Sequence, residues 1–213
     1  MSELPRTPAY VWLDTEFTSL DIERADLLQV AVLLTDADLE RLAPPEEDLN
    51  LAVRLSADAT VSPWVEENLG SLVQQCRSGD ALPLPSVEQR ICSLVDRLTG
   101  GPHEEPDLKP VIAGNSVHAD YYLLRRLMPD LIRRCHYRLL DVSAIKIQWQ
   151  DCARGQPFAK DDPDQIRRHW PGARLSQGIG AHDAYYDIQA SIAELAFYRS
   201  SFFPTDIQAG GES

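Results

Sequence analysis

Apolar residues cluster in five short runs that predict β-strands. Residues 10–13, 28–35 and 49–55 are rich in leucine, aromatic and β-branched side chains and follow one another closely along the chain. We expect these three runs to pair as an antiparallel meander, because the connections between them are short. Residues 110–114 and 137–142 predict two further strands, and a helical pattern follows each of them. Such strand–helix alternation predicts that the last two strands join the sheet in parallel.

Helix start and stop signals lie between and after these runs. Ser62 and Pro63 form a helix start, because serine caps the first turn and proline fits the first helical position. Ser116 fits the same capping role for a helix that Pro129 would stop. The predicted helices cover about residues 62–76, 86–98, 116–128, a stretch after residue 143, and 184–198. The order of elements predicts an α/β fold, with a mixed sheet of three antiparallel and two parallel strands and helices on its faces.

The length of 213 residues fits one domain. We expect residues 1–8 to be a short N-terminal extension, residues 9–203 to form the domain, and residues 204–213 to be a disordered tail. Residues 150–181 are rich in proline, glycine and charge, which predicts a long loop with one helical turn in it. Long ordered loops in compact domains are often functional.

The composition narrows the range of partners and compartments. A net charge of −13 argues against a broad basic surface for long nucleic acids and favours short substrates held at one end. No apolar stretch approaches the roughly 18–20 residues of a membrane span, and a secretory signal pattern is missing at the N-terminus. The four widely spaced cysteines lack zinc-binding spacing and indicate reduced thiols. We therefore expect a cytoplasmic protein without membrane association.

Five polar residues near the ends of predicted elements are candidates for catalytic chemistry. Asp14 and Glu16 are two residues apart on a strand, so their carboxylates project from the same face. Asp120 falls in the first turn of a helix, while His182 lies just before the last helix and Asp187 lies inside it. Each residue alone also fits an ordinary explanation: an exposed strand end, an acid favoured by the helix dipole, or a surface histidine.

Taken together and in this order along the chain, the five residues form motifs that are specific to one family. The motifs DxE, GNSxxxD and HxAxxD resemble those of the DEDDh 3′→5′ exonucleases, and within them the oligoribonucleases, over roughly residues 10–200. Three longer segments are similar in detail: residues 13–20 (LDTEFTSL), 136–143 (HYRLLDVS) and 187–199 (DIQASIAELAFYR). The resemblance implies a ribonuclease-H-like fold and removal of nucleoside 5′-monophosphates from the 3′ ends of short RNA.

The resemblance also assigns the candidate residues. It implies that Asp14, Glu16, Asp120 and Asp187 hold two divalent ions, Mg²⁺ or Mn²⁺, about 3.5–4 Å apart. It implies that His182 accepts a proton from the attacking water, a role that suits an imidazole near neutral pH.

Substrate contacts follow from the same resemblance. Leu20 would wedge against the terminal bases and Trp64 would line the base pocket. Ser116 would grip the 5′ phosphate of a dinucleotide, together with Tyr137 and Arg138 reaching across a homodimer interface, since arginine makes bidentate phosphate contacts. Alternatively, Leu20 and Trp64 are core residues and Arg138 is a surface cation.

The chain departs from the oligoribonuclease pattern at several positions. Leu69 stands where these enzymes have a histidine that contributes to the phosphate contact. Ala119 replaces a glutamine, His118 replaces a glycine, and residues 150–181 are longer than the compact link of the family. One hypothesis is that His118 supplies the missing phosphate contact, which an unchanged dinucleotide affinity of His118→Ala would refute.

Three functions compete on the sequence alone. The first is a 3′→5′ exoribonuclease acting on short oligoribonucleotides. The second is a DEDDh exonuclease acting on other 3′ ends, such as single-stranded DNA or structured RNA. The third is a non-catalytic nucleic-acid-binding module on the same fold, which the complete set of four acids and the histidine disfavours.

Overall fold

A five-stranded mixed sheet lies at the centre of the structure, a computed structural model that describes residues 7–152, 155–176 and 182–202. The strand order is β3-β2-β1-β4-β5. The β1–β2 and β2–β3 pairs are antiparallel, and the β1–β4 and β4–β5 pairs are parallel. The predicted sheet is therefore confirmed. The strands are β1 (Tyr10–Phe17), β2 (Leu27–Thr35), β3 (Leu49–Ala52), β4 (Val111–Gly114) and β5 (Leu139–Asp141).

Eight α-helices are formed by the described residues. They are α1 (Pro63–Asn68), α2 (Gly70–Arg77), α3 (Leu84–Thr99), α4 (His118–Leu127), α5 (Pro129–Arg134), α6 (Val142–Cys152), α7 (Pro163–His169) and α8 (Ala184–Phe202). Two short 3₁₀ turns cover Pro45–Glu47 and Pro106–Leu108. Within the described ranges, none of the helices is both long and apolar enough to cross a bilayer.

Alternation along β1 connects the sheet to two separate cores. Leu13 belongs to a core formed with α3, α4 and α5, while Trp12 belongs to a core formed with α6, α7 and α8. Because successive side chains of a strand point to opposite faces, Asp14 and Glu16 continue the row of Trp12 toward α8. Thr15 continues the row of Leu13 toward α4. The strand thus directs its two acids to one side and its threonine to the other.

Close packing of β1 and β4 fixes the loop that follows β4. A Cβ atom on Gly114 would lie 2.7 Å from the carbonyl oxygen of Leu13, a separation that real Cβ atoms do not show. Glycine is therefore required where β4 ends, because this residue lies against the carbonyl group of Leu13, the residue before Asp14. This approach brings the start of α4 to the acidic end of β1.

The predicted helix over residues 62–76 is in fact two helices. Ser62 caps α1 as predicted, since its Oγ accepts a hydrogen bond from the backbone N–H of Val65 at 3.3 Å. The helix then breaks at Leu69, whose φ of −121° and ψ of 23° are not helical. The side chain of Leu69 is only 7% exposed and packs in a small core with Val65 and Val73. Tertiary packing of this leucine produces a break that helical periodicity does not show.

Ser116 does not cap α4, so that prediction is wrong. Val117 is the N-cap residue, and Ser116 has a φ of +50°, in the left-handed region that few non-glycine residues adopt. Pro129 stops α4 as predicted, but it also begins the short helix α5, which the sequence analysis missed. Proline fits there because the first helical position needs no N–H donor.

Residues 155–176 are more ordered than a long loop. They contain α7, two turns in length, and bury Phe158, Ile166 and Trp170 against the core that includes α8. The indole N–H of Trp170 donates to the carbonyl oxygen of Leu39 at 2.9 Å. Residues 204–213 and most of 1–8 lie outside the described residues, so the predicted domain boundaries stay predictions.

Candidate active site

Three carboxylates converge at the end of β1. Asp14 and Glu16 on the strand and Asp187 on α8 each offer an oxygen atom, and these atoms lie within 4.8 Å of one another. Asp14 and Glu16 reach the cluster because of the alternation described above, while Asp187 lies in the first turn of α8. Carboxylate oxygens at this spacing are the ligand type that Mg²⁺, Mn²⁺ and Ca²⁺ prefer. The arrangement fits a divalent metal site.

Asp120 reaches the cluster from the opposite side of β1. Its Oδ1 accepts hydrogen bonds from the backbone N–H of Thr15 at 3.0 Å and from the Thr15 hydroxyl at 2.6 Å. The residue is 6% exposed and lies in the first turn of α4, as predicted. Asp120 is outside the tight group of three oxygens, yet its negative charge raises the pKa values of Asp14 and Glu16. The structure therefore brings all four predicted acids to one end of β1.

Burial raises the pKa of every acid in the cluster, and repulsion by the other acids adds to this effect for Asp14 and Glu16. Burial comes first for Asp14, whose pKa lies well above its usual value, followed by the charges of Asp120 and Asp187. The pKa of Glu16 rises to about 8 through burial and then the charge of Asp187. Burial raises the pKa of Asp120 to about 7 and also raises that of Asp187. Such a cluster holds protons near neutral pH, and a bound divalent cation would remove the cost of ionising it.

His182 lies two residues before the start of α8, next to the cluster. Its backbone N–H donates to Asp187 Oδ2 at 3.0 Å, and its φ of +70° is left-handed. The imidazole packs edge-on against the indole of Trp64, with ring centroids 5.6 Å apart. The next residue, Asp183, caps the helix by accepting the N–H of Tyr186 at 3.0 Å. A non-glycine residue in the left-handed region is typical of functional sites, where surrounding contacts maintain it.

A cavity of about 500 Å³ adjoins the acids. Leu20 and Trp64 lie on its rim and are 91% and 51% exposed, so neither belongs to the core. Glu16 and His182 line the side of the cavity next to the converging carboxylates, and Leu69 forms part of the apolar wall. The volume is within the roughly 300–1,000 Å³ of small-molecule sites. The cavity therefore brings the predicted base-contacting residues beside the predicted catalytic residues.

A second polar group surrounds Ser116. The carboxylate Oδ1 of Asp141 accepts the backbone N–H groups of Ser116 and Ser143, each at 2.9 Å, and the two serine hydroxyls lie 3.1 Å apart. His118 Nδ1 lies 3.6 Å from Asp141 Oδ2. Asp141 and Ser143 were not predicted as site residues. Their place at the carboxyl end of β5, where ligands collect in α/β sheets, is the signal that could have identified them.

Tyr137 and Arg138 lie on the surface, a few residues before Asp141 in the sequence. The Tyr137 ring is largely exposed and stacks on His136 at a centroid distance of 4.4 Å. The Arg138 guanidinium lies 5.5 Å from the centre of the Tyr137 ring. Neither residue belongs to the described lining of the Leu20–Trp64 cavity. Their predicted contact across a dimer interface stays a prediction.

Lys160 is the charged neighbour of the cluster that the sequence analysis missed. Its Nζ lies 3.9 Å from Asp187 Oδ1, and its side chain is 29% exposed. The residue falls in the segment 150–181, which was predicted to be a long loop. Only the packing of that segment against α8 places the lysine there, so no local pattern could have identified it.

The solved structures that resemble this chain share its sheet and helix arrangement. Escherichia coli exonuclease I in complex with a dA16 oligonucleotide has a TM-score of 0.62 and 16% identity, covering 91% of this chain and 41% of that chain. The Mg²⁺- and Mn²⁺-bound form of Schizosaccharomyces pombe Pop2p has a TM-score of 0.60 and 13% identity, covering 92% and 84%. The chain thus spans less than half of exonuclease I. These likenesses establish the class, an α/β protein with the ribonuclease-H-like fold.

The chain belongs to the exonuclease family (RNase_T), which matches residues 11–195. It is 34% identical over 196 residues to the mitochondrial oligoribonuclease of Bos taurus, covering 91% of this chain and 73% of that protein. It is 33% identical over 206 residues to the oligoribonuclease of Corynebacterium glutamicum, covering 93% and 81%. Within the family, the chain is therefore an oligoribonuclease-like DEDDh exonuclease, and the resemblance seen in its motifs is confirmed.

Proposed function

We propose that this chain is a metal-dependent 3′→5′ exoribonuclease that hydrolyses short oligoribonucleotides to nucleoside 5′-monophosphates. The observation that carries the proposal is the convergence of Asp14, Glu16 and Asp187 beside a cavity walled by His182 and Trp64. The cavity has room for a terminal base, and the acids lie at one end of it. This arrangement favours hydrolysis at the end of a nucleic-acid strand. Identity to oligoribonucleases over most of the chain supports the same activity.

The four acids Asp14, Glu16, Asp120 and Asp187 would hold two divalent ions, Mg²⁺ or Mn²⁺. All four donors are carboxylates, the hard oxygen ligands that these ions prefer, and their raised pKa values support the proposal, because a bound cation would offset the cost of ionising them together. When bound, such ions offset the negative charge that develops on the phosphate oxygens during hydrolysis.

His182 acts as the general base in this proposal. It takes a proton from the water that attacks the phosphorus atom, while the bond from phosphorus to the 3′ oxygen of the preceding nucleotide breaks. The phosphate stays on the 5′ carbon of the released nucleotide. The backbone hydrogen bond to Asp187 and the packing against Trp64 support this role, because the first holds the main chain of His182 next to an acid and the second holds its ring.

Leu20 and Trp64 contact the bases. The exposed indole of Trp64 on the cavity rim suits stacking, which is worth about 1–3 kcal/mol per base and tolerates any base identity. The exposed side chain of Leu20 suits an apolar wedge against a terminal base. Ser116, with Tyr137 and Arg138 from a second copy of the chain in a homodimer, binds the 5′ phosphate. The exposed guanidinium of Arg138 suits bidentate phosphate binding.

His118 supplies the phosphate contact that the leucine at position 69 cannot make. Its ring is exposed, lies next to the Ser116 group, and is 3.6 Å from Asp141. His118→Ala should weaken dinucleotide binding by about 3- to 10-fold, the loss of one exposed charge-assisted contact. An unchanged affinity would refute this role. His103→Ala, which changes a histidine that bonds only the Thr99 carbonyl in the described residues, is the matched control.

A broader exonuclease is the second candidate. Leu69 makes the cavity wall apolar where oligoribonucleases have a histidine, and this departure favours less dependence on a terminal 5′ phosphate. A cytoplasmic location stays a prediction, since the Bos taurus relative is a mitochondrial oligoribonuclease.

The deciding experiment is a time course with Mg²⁺ or Mn²⁺ on 5′-labelled RNA of two, five and about fifteen nucleotides, with matched DNA. Asp14→Ala is the inactive reference and Asp107→Ala, in an exposed 3₁₀ turn, is the control for loss of a surface acid. Fastest cleavage of the dinucleotide supports an oligoribonuclease. Equal or faster cleavage of long RNA or DNA supports the broader exonuclease, and no cleavage by the wild type refutes both.

A further inference from the structure

We propose that Lys160 is a substrate-contacting residue whose ammonium group binds the non-bridging oxygens of the phosphate that is cleaved. The inference rests on the proposed function and adds a residue to it. Lys160 is not among the positions that the family resemblance assigns. It lies in the 150–181 segment, where this chain is longer than the compact link of the oligoribonucleases.

The position of the ammonium group is the first observation. Lys160 Nζ lies 3.9 Å from Asp187 Oδ1, and both side chains are largely shielded from solvent. Asp187 is one of the three acids whose oxygen atoms meet within 4.8 Å. The lysine thus brings a positive charge to the edge of the carboxylate cluster, 3.9 Å from one carboxylate oxygen of Asp187.

The main chain around Lys160 is held firmly, which is the second observation. The hydroxyl of Tyr186, the neighbour of Asp187 on α8, donates to the carbonyl oxygen of Lys160 at 3.0 Å. Two residues before it, Phe158 is buried in the core beside α8. Two residues after it, Asp162 caps α7 by accepting the N–H of Asp164 at 2.9 Å. These anchors fix the base of the lysine side chain over the acidic cluster.

Charge balance decides which partner the ammonium group takes in the working enzyme. Four ionised carboxylates carry about as much charge as two divalent ions neutralise, so the filled cluster no longer attracts a lysine strongly. A phosphodiester adds a fresh negative charge at the same place. The ammonium group, on a flexible stem with a fixed base, then turns from Asp187 to the phosphate oxygens. Lysine clamps on phosphate stabilise the charge that develops as the bond to the leaving oxygen breaks.

A simpler account gives Lys160 only the role of counter-cation for the metal-free acids. The two accounts differ in what the lysine does after metal binds. A counter-cation competes with the metal, so its removal tightens metal binding and leaves phosphate binding unchanged. A phosphate-binding residue loses affinity for phosphate-bearing ligands when it is removed, whatever happens to the metal.

The test compares wild type, Lys160→Met and Lys160→Arg by isothermal titration calorimetry. Methionine keeps the apolar stem without the charge, and arginine keeps the charge. Each protein is titrated with Mn²⁺ alone, and then, in saturating Mn²⁺, with adenosine 5′-monophosphate or with adenosine. Lys109→Met is the matched control, because the Lys109 ammonium donates to the carbonyl oxygen of Arg133 on α5.

We expect Lys160→Met to weaken adenosine 5′-monophosphate binding by roughly 10- to 100-fold, the loss of one charge-assisted hydrogen bond, with adenosine binding unchanged. Lys160→Arg should stay within a few-fold of wild type, and so should Lys109→Met. The kcat of Lys160→Met on short RNA should fall by a similar factor.

Unchanged monophosphate binding with tighter Mn²⁺ binding in Lys160→Met would overturn the proposal in favour of the counter-cation role. An equal loss for adenosine and its monophosphate would also overturn it, since the defect would then lie in the shape of the cavity. Cleavage by the wild type decides the proposed function separately, because the calorimetric comparison needs no turnover.

Discussion

Replacing Glu16 by glutamine removes one negative charge from the acidic cluster while keeping the size and shape of the side chain. In the metal-free protein, the pKa of Glu16 rises from 4.5 to about 8, through burial first and then the charges of Asp187 and Asp120. A carboxyl group with a raised pKa in the folded state costs no stability below its unfolded value. Stability is lost as pH rises from about 4.5 through 8, because the unfolded chain releases the proton first.

The magnitude follows from the size of the pKa change. An increase from 4.5 to about 8 corresponds to a ceiling of roughly 5 kcal/mol of destabilisation in the fully ionised protein. Solvent reaches part of the Glu16 side chain and screens its charge, so we retain about 2 kcal/mol. Glu16→Gln should therefore raise the melting temperature of the metal-free protein by about 4–8 °C at pH 8, and by little at pH 5.

The assay is thermal unfolding followed by circular dichroism in EDTA at pH 5 and pH 8, repeated at pH 8 in saturating Mn²⁺. Metal should reverse the order of the two proteins, since wild type gains stability by mass action while the variant has lost a ligand. Glu23→Gln, which changes an exposed glutamate outside the cluster, should shift the melting temperature by about 1–2 °C or less under all three conditions.

Two results would refute this reasoning. A metal-free Glu16→Gln protein less stable than wild type at pH 8 would show that the ionised carboxylate is favourably bound rather than repelled. A difference of the same size at pH 5 and pH 8 would show that packing, not charge, separates the two proteins.

Three further predictions address the other parts of the site. His182→Asn should lower kcat by about 10²–10⁴-fold in single-turnover assays and keep the Mn²⁺-induced increase in melting temperature, whose loss would mean that the histidine supports the metal site instead. Trp64→Ala should raise the KM for a dinucleotide by about 5- to 100-fold with a smaller change in kcat, and an unchanged KM would contradict base stacking. Ile166→Ala should destabilise the protein by roughly 2–5 kcal/mol in urea unfolding, whereas a change under 0.5 kcal/mol would contradict the packing of α7 against the core.

Sequence patterns predicted the sheet and the pairing of Asp14 with Glu16 because both depend on short-range rules, whereas the meeting of all four acids was implied by the family resemblance. Strand runs are read from apolar periodicity, and the carboxyl ends of strands are where loops and helix starts collect polar residues. Asp14 and Glu16 share a face through simple alternation, so their convergence needs no knowledge of the rest of the fold. The motif order then selected one family from many α/β proteins.

Most of the missed features depend on contacts distant in sequence. Leu69, where the helix breaks, joins a core that includes the distant residues Leu28 and Leu55, and the left-handed turn at Ser116 is held by Asp141, 25 residues away. Lys160 reaches Asp187 only because Phe158 and Tyr186 fix its segment against α8. The segment was predicted to be a loop because it is rich in proline, glycine and charged residues. The few buried residues that anchor it, such as Phe158, do not stand out in its composition.

The departures from the family pattern change where positive charge meets the substrate. Leu69 is buried in a small apolar core, so the position serves packing between α1 and α2 and adds no cation to the cavity wall. In the described residues the cavity rim is then apolar at Leu20 and Trp64, with Lys160 near the acids at one end and His118 near Ser116 in the other polar group. A chain of net charge −13 repels phosphates that extend beyond such contacts. Binding energy must therefore come from a few bases in the cavity and from the phosphate beside the acids, which favours a substrate only a few nucleotides long.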